Sequence, residues 1–310
     1  MIVSKKMKII IIGCGMIGFS HLKSFLNSKN IYEIDIIDNK KRLNELKKIL
    51  KNKKNLSLNL STKIPRKKKF DFAIFASNSK ERLSLLKNFL KNGNKFKYIL
   101  LEKFIFPKKN DFLNFEKYFN KYLKNIYINS FASYIYKKLE FKKLKINKIE
   151  MIINTKNGTL FTNLIHYLDL FYQLTSSKPS LKELKIKKIF NFKRYGYKEA
   201  LGSLKFINKK GELEINSHKK IDLNILVNLK KNTYKIILKK NYLFFYKNNK
   251  ISKKIIFPFA YNFTEKGFVN LIKKNNQQIY FSKYKNISEL SKIILDMLNL
   301  LSSKKPIQIT

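Results

Sequence analysis

Residues Met7 to Phe25 read MKIIIIGCGMIGFSHLKSF. An apolar run, Lys8 to Ile12, ends in Gly13-x-Gly15-x-x-Gly18 and passes directly into an amphipathic stretch. A strand, a glycine turn and a helix in that order form the phosphate-binding opening of a dinucleotide-binding fold. In this arrangement Gly13 allows the tight turn, Gly15 lets the backbone approach a pyrophosphate, and Gly18 lets helix pack on strand. The negative charge then faces the helix N-terminus. Two other readings compete: a glycine-containing turn with no ligand, and a lipoprotein signal ending at Cys14. The second fails on length, because four isoleucines and a glycine separate Lys8 from Cys14, whereas a secretory apolar region needs about 7–15 residues.

Asp38 closes the next apolar run, Tyr32 to Ile37, and lies 20 residues after Gly18. A carboxylate at that place accepts hydrogen bonds from a ribose 2′-hydroxyl, which favours NAD. Lys40 and Lys41 just downstream leave NADP open. The plain alternative is an acid that caps the following helix.

Beyond this opening, apolar runs alternate with lysine-rich amphipathic stretches. Strands are expected at Lys8–Ile12, Tyr32–Ile37, Phe70–Ala76, Tyr98–Leu101 and Ile126–Ser130, with helices at His21–Ser28, Lys41–Leu50, Lys80–Leu90 and Asp111–Tyr122. Such a rhythm predicts a doubly wound parallel sheet covered on both faces. Past residue 140 the pattern changes to one apolar helix, about Thr162 to Leu174, and then to long strands. NKKGE makes a hairpin turn inside Leu201–His218, and IDLNILVNL, YKIILKK and YLFFYKNNKISKKIIF follow. A helix from Ser288 to Leu301 closes the chain. The predicted fold class is therefore α/β: a Rossmann domain over 1–125, then an α+β domain over 126–310 with an open, mainly antiparallel sheet.

The formal net charge of +47 would ordinarily suggest a polyanionic partner. Of 67 basic residues, however, only Arg42, Arg66, Arg82 and Arg194 are arginine, and the lysines run along the whole chain rather than gathering on one face. Nucleic-acid readers recruit arginine for its planar fork, so nucleic acid is not the expected partner. A single cysteine excludes a disulfide framework. His21, His166 and His218 show no metal-ligand spacing, so no metal is expected. No apolar run reaches the roughly 18 residues of a membrane span, and these features point to a cytoplasmic chain with a small-molecule substrate.

Two further segments carry chemistry. In LEK, Leu101 to Lys103, the lysine emerges at the carboxyl edge of the parallel sheet, where it can donate to a substrate oxygen; most lysines are nevertheless solvated surface. In TNLIHYLDLFYQL, Asn163, His166 and Asp169 recur every three residues and share one helical stripe. An imidazole with a carboxylate one turn away suits proton exchange with a hydroxyl. A polar outer helix face, or a histidine satisfied in the core, would show the same pattern.

In this order and spacing the three segments resemble the Gfo/Idh/MocA family, the glucose–fructose oxidoreductase and inositol dehydrogenase relatives. GCGMIGFSH is similar to the family's glycine turn with its trailing histidine, YILLEKFIFP to its Glu-Lys-Pro segment, and TNLIHYLDLFYQL to its catalytic helix. The resemblance implies NAD or NADP as cofactor, bound by Gly13, Gly15, Met16, Ile17, Gly18, Asp38, Ala76, Ser77, Asn78, Glu102 and Lys103. It also implies Lys103, His166 and Asp169 as catalytic residues, with Lys103, Asn163 and His166 against the substrate. The implied activity is hydride transfer at a secondary alcohol or ketone of a sugar, sugar derivative or cyclitol, in a homo-oligomer formed through the second sheet. Alternatives are reduction of a non-sugar carbonyl or an imine such as a bilin, and a non-catalytic regulatory or scaffold protein. Three departures stand out: Phe104 replaces the proline after the lysine, Thr162 replaces an aspartate four residues before the histidine, and Arg82 replaces a histidine.

Overall fold

A computed structural model describes residues 6–50, 56–138, 148–156, 160–191, 198–218, 223–229, 232–239, 242–256, 260–274 and 279–301. Ile221, Asp222, Lys240 and Phe257, at the ends of expected strands, lie outside them. In chain order the elements begin with β1 Met7–Ile12, α1 Met16–Leu26, β2 Tyr32–Ile37, α2 Lys40–Leu50, β3 Leu56–Ser61, β4 Lys69–Phe75, α3 Ser79–Lys91, β5 Lys95–Leu101, α4 Lys109–Phe119 and β6 Ile126–Ile128. There follow α5 Phe131–Lys138, β7 Ile149–Lys156, α6 Leu164–Thr175, β8 Ser180–Asn191, β9 Lys198–Asn208, β10 Gly211–His218, β11 Asn224–Leu229, β12 Asn232–Lys239, β13 Tyr242–Lys247 and β14 Lys250–Ile256. The last elements are α7 Ala260–Ile272, β15 Ser282–Lys283 and α8 Tyr284–Leu301.

The chain divides into two units. The first comprises Met1–Asn129 together with Phe259–Lys285, and the second Ser130–Pro258 with Asn286–Thr310. The sequence suggested two contiguous domains, 1–125 and 126–310; instead the division falls at Asn129, and α7 and β15 rejoin the first unit. Long-range packing explains their return. On α7, Glu265 Oε1 accepts hydrogen bonds from Ser28 Oγ (2.7 Å), Asn30 Nδ2 (2.7 Å) and Tyr32 Oη (2.6 Å). Burial and this carboxylate together raise the Tyr32 phenol well above its usual value, so it stays a donor. Phe268 stacks on Phe72 at 4.7 Å, and β15 pairs with β6.

In the first unit the sheet order is β15-β6-β5-β4-β1-β2-β3, parallel throughout except for the β15–β6 pair. Strands buried on both faces read as continuous apolar runs, and Ile9, Ile10, Ile11, Phe72, Ala73, Ile74, Phe75, Ile99, Leu100 and Leu101 are all buried. By contrast α2 buries only Leu43, Leu46 and Leu50, which leaves its lysines outward. The sequence reading did not include β3, whose LSLNLS alternates like a short edge strand and has no continuous apolar run. Its Asn59 donates to buried Asp35 Oδ1 at 2.8 Å, while Lys68 pairs with Oδ2 at 2.8 Å.

Because chain order reverses direction between β1 and β4, the loops after these two strands diverge at the carboxyl edge. That crevice is where open α/β sheets bind ligands. Ladder hydrogen bonds continue just past the strands and fix the loops in place: Gly13 N donates to Ile37 O at 2.9 Å, Ala76 N to Ile12 O at 2.9 Å, and Glu102 N to Phe75 O at 3.2 Å.

The second unit holds an eight-stranded sheet in the order β14-β13-β12-β11-β7-β10-β9-β8. All neighbours are antiparallel except β7 and β10, which run parallel. The expected turn within NKKGE is present between β9 and β10, where Lys210 N donates to Asn208 Oδ1 at 2.9 Å. One face is apolar and buried, with Ile149, Met151 and Ile153 on β7 and Leu213 and Ile215 on β10.

Replacing Phe72 by alanine would remove a fully buried ring from the stack with Phe268 and Phe281. We expect a loss of about 3–5 kcal/mol in denaturant unfolding. A loss under about 1 kcal/mol would contradict this packing.

Candidate functional site

Gly13, Gly15 and Gly18 are required for different physical reasons. Gly13 has φ +85°, and a Cβ there would lie 2.6 Å from Ser77 N. At Gly18 a Cβ would lie 1.9 Å from Gly13 O, so only glycine lets α1 start against the turn. Gly15, the residue before α1, has negative φ, and a Cβ there would meet nothing within 4 Å among the described residues. Internal packing therefore explains the first and third glycines but not the second. Open space over backbone at a helix N-terminus fits a group that must approach closely and carries negative charge. Met16 and Ile17, the first residues of α1, are 71% and 38% exposed beside it.

Asp38 stands just after β2. Its Oδ2 accepts from Cys14 N at 2.6 Å, and its Oδ1 accepts from Asn39 N at 2.7 Å and Asn39 Nδ2 at 3.0 Å. Helix α2 is capped by Asn39, whose Oδ1 accepts from Arg42 N at 2.9 Å. Capping thus does not account for Asp38, which is held against the glycine turn instead. Arg42 Nε donates to Cys14 O at 2.7 Å, so one residue of the turn is tied from both sides. Burial pushes the Cys14 thiol up to about 12; Arg42 lowers it and Asp38 raises it further. The thiol stays protonated at neutral pH and is no nucleophile.

After β4 the chain runs through Ala76, Ser77 and Asn78. Asn78 Oδ1 caps α3 by accepting from Lys80 N at 3.1 Å. Ser77 Oγ has no hydrogen-bond partner among the described residues. After β5 come Glu102 and half-buried Lys103. Glu102 turns its carboxylate inward: Oε1 meets His21 Nε2 at 2.7 Å and accepts from Asn129 Nδ2 at 2.6 Å. His21 Nδ1 lies 2.8 Å from Thr264 Oγ1 on α7. Burial alone would raise the Glu102 carboxyl, but the His21 hydrogen bond, supported by Asn129 and Arg82, holds it below the usual carboxylate range.

Arg82 on α3 is also buried. Its Nη1 donates to Glu102 O (2.6 Å), Phe104 O (2.5 Å) and Ile105 O (3.0 Å), and its Nη2 donates to Ser77 O (2.6 Å). One guanidinium thus clamps the loop after β4 to the loop that carries Lys103. Burial lowers it to about 10, opposed by the charge of Glu102, so it remains a cation at neutral pH. Phe104 is buried and the Lys103–Phe104 peptide is cis. Neither the clamp nor the partners of His21 was visible in the sequence; Thr264 is separated from His21 by 243 positions.

In the second unit, α6 begins at Leu164, two residues later than expected, with Asn163 as its N-terminal flanking residue. The helix has no polar outer face. Ten of its twelve residues are buried, including His166 and Asp169. The segment leading into it is anchored by buried Glu199 on β9, which accepts from Phe161 N at 2.9 Å and Thr162 N at 2.7 Å. Burial raises the Glu199 carboxyl, and these hydrogen bonds oppose the rise. Around the helix stripe, Ser130 Oγ donates to Asp169 Oδ2 at 2.5 Å and lies 3.2 Å from His166 Nδ1, and Gln173 Nε2 donates to Asp169 Oδ1 at 2.9 Å. Sequence reasoning missed Ser130, Gln173 and Glu199. Of the expected catalytic residues, Lys103 belongs to the first unit, while His166 and Asp169 belong to the second.

Among the described residues no group of three His, Cys, Asp or Glu side chains is arranged to hold a metal ion, and no helix is long and apolar enough to cross a membrane.

No protein-family model matches the sequence, and no curated protein matches it. Solved structures do match. The dehydrogenase MviM from Clostridium difficile is 13% identical, with a TM-score of 0.66 over 96% of this chain and 100% of its own. The WlbA dehydrogenase from Bordetella pertussis, solved in complex with NADH and UDP-GlcNAcA, is 13% identical, with a TM-score of 0.63 over 99% of this chain and 100% of its own. A mutant of KijD10, a 3-ketoreductase from Actinomadura kijaniata solved with TDP-benzene and NADP, is 8% identical, with a TM-score of 0.63 over 96% and 98%. At these identities the likeness establishes the fold: a Rossmann unit joined to a unit with a large, mainly antiparallel sheet.

The lowered Glu102 carboxyl has a consequence for stability. Its folded value lies below the unfolded one of about 4.3, so its ionised form stabilises the fold above that pH, and the contribution is lost as pH falls through the folded value. Unfolding free energies of the protein and of Glu102→Gln should therefore differ by a constant amount near neutrality and converge below about pH 4.3. A gap that widens on acidification would contradict the assignment.

Proposed function

We propose that this chain is an NAD(P)-dependent oxidoreductase that moves hydride between nicotinamide and a secondary alcohol or ketone of a sugar, sugar derivative or cyclitol. The observation that carries the first half is the open space at Gly15, between two glycines that internal packing already requires. Gly13, Gly15 and Gly18 would hold the pyrophosphate at the start of α1, with Asp38 on the adenosine ribose and Ser77 alongside. When bound, the nicotinamide supplies or accepts the hydride. Asp38 favours NAD, and its like charge opposes a 2′-phosphate.

The chemistry is assigned to Lys103 and His166. Lys103 donates to the reacting oxygen and stabilises negative charge developing there. His166 takes the hydroxyl proton in oxidation or returns it in reduction. The loops after β4 and β5 are held by Arg82 and Glu102, which reduces the reorganisation needed when ligands bind. The fold resemblance supports the sugar class, since the WlbA and KijD10 structures carry nucleotide-linked ligands. A scaffold without turnover has no use for a buried histidine and carboxylate on α6 joined through the hydroxyl of Ser130. The face of the second sheet opposite its buried apolar one is the surface we assign to pairing with a second copy.

The test of the cofactor site uses NADH as probe. Gly15→Ala should leave the unfolding midpoint unchanged yet weaken NADH binding at least tenfold, or about 1.4 kcal/mol; unchanged affinity would sink the site. On a panel of sugars and nucleotide sugars, Lys103→Ala and His166→Ala should each cut turnover by about 10²–10⁴-fold while NADH still binds. Full turnover in both variants would overturn the roles given to them. Asp38→Gly should shift the NADH/NADPH affinity ratio toward NADPH, and an unaltered ratio would refute its contact with the ribose.

A further inference from the structure

We infer that Ser130 is a positioning residue that bridges His166 to Asp169 and fixes the imidazole as the tautomer protonated on Nδ1, assigning Nε2 as the nitrogen that exchanges a proton with substrate. The role of His166 in proton exchange rests on the function proposed above; the bridge and the tautomer rest on geometry alone.

The three groups are buried, with 1% exposure at Ser130, 6% at His166 and none at Asp169. A serine hydroxyl has one proton to give and lone pairs with which to accept. The 2.5 Å separation from Asp169 Oδ2 is that of a charge-assisted O–H···O⁻ bond, so the Ser130 proton is committed to the carboxylate. Toward His166 Nδ1, 3.2 Å away, Ser130 Oγ can then only accept. The donor must be Nδ1–H, and in the neutral ring the lone pair falls on Nε2.

The surroundings hold this arrangement. Gln173 Nε2, one turn along α6, donates to Asp169 Oδ1 at 2.9 Å and fixes the carboxylate plane. The Phe131 ring lies 4.2 Å from the His166 ring, centroid to centroid, and restrains it from turning over. Asp169 follows His166 by three residues on the same helix, and the hydroxyl of Ser130, just before α5, spans the gap between the two side chains. When Nε2 takes up a proton, Nδ1–H keeps donating to Ser130 Oγ and the Ser130 hydroxyl keeps donating to Asp169 Oδ2. Positive charge on the ring is thus stabilised through two hydrogen bonds, and no proton leaves the serine.

The chain contains three histidines, His21, His166 and His218, so a long-range ¹H–¹⁵N spectrum of the full-length protein labelled with ¹⁵N-histidine is simple to interpret. His166→Gln identifies the His166 signals. At about pH 8, above the ordinary imidazole value, Nδ1 of His166 should resonate as a protonated nitrogen and Nε2 as an unprotonated one. In Ser130→Ala that preference should be lost, and Ser130→Thr, which keeps the hydroxyl, should restore it. Protonation of Nε2, or of both nitrogens, in the unsubstituted protein would overturn the inference even if Ser130→Ala failed to fold. An unchanged spectrum in folded Ser130→Ala would overturn it too. Neither substrate nor cofactor is needed, so a protein with the stated tautomer but no loss of turnover in His166→Ala would refute the proton-exchange role given to His166 and leave the bridge standing.

Discussion

The contact on which the first unit depends is backbone against backbone at Gly13. Its carbonyl oxygen fills the place where a Cβ of Gly18 would be, and its own missing Cβ is where Ser77 N sits. Three segments converge there: the end of β1, the start of α1 and the loop after β4. No side chain could be added at either position without separating strand from helix or one loop from the other. The crevice at the carboxyl edge is therefore set by excluded volume before any polar contact is made.

Around that junction, polar groups buried among apolar side chains make the loops rigid. A buried charge is costly unless it is hydrogen-bonded and compensated, and the charges here find partners across long stretches of sequence, Arg82 Nε excepted, which has none among the described residues. Arg82 is met by four main-chain carbonyls. Glu102 is met by His21 and Asn129, and His21 in turn by Thr264. In the second unit Glu199 anchors the approach to α6, and Ser130 joins His166 to Asp169. Each network holds a segment assigned a role in binding or chemistry, which is where fixed geometry matters most.

How much could be foreseen depended on the range of the interaction. The glycine turn, Asp38 and the βα rhythm are local patterns, and the fold they imply is the one observed, down to the mainly antiparallel second sheet. Short-range composition concealed β3, because LSLNLS carries no continuous apolar run. The return of α7 and β15 to the first unit is set by contacts such as Glu265 with Tyr32 and Phe268 with Phe72, which no window of sequence contains. For the same reason the stripe on α6 was legible while its partner Ser130, 39 positions from Asp169, was not. Arg82 stood out only as a departure from a family pattern; its task became clear from the four carbonyls around it.

In the proposed function a dinucleotide lies across the crevice between the turn after β1 and the loop after β4. A crystal structure of the protein soaked with NAD⁺ tests it most directly. Density is expected for the pyrophosphate over Gly15 at the start of α1, with the adenosine ribose on the carboxylate of Asp38. An ordered cofactor bound elsewhere, or a crevice that stays empty at saturating NAD⁺ and NADP⁺, would contradict it.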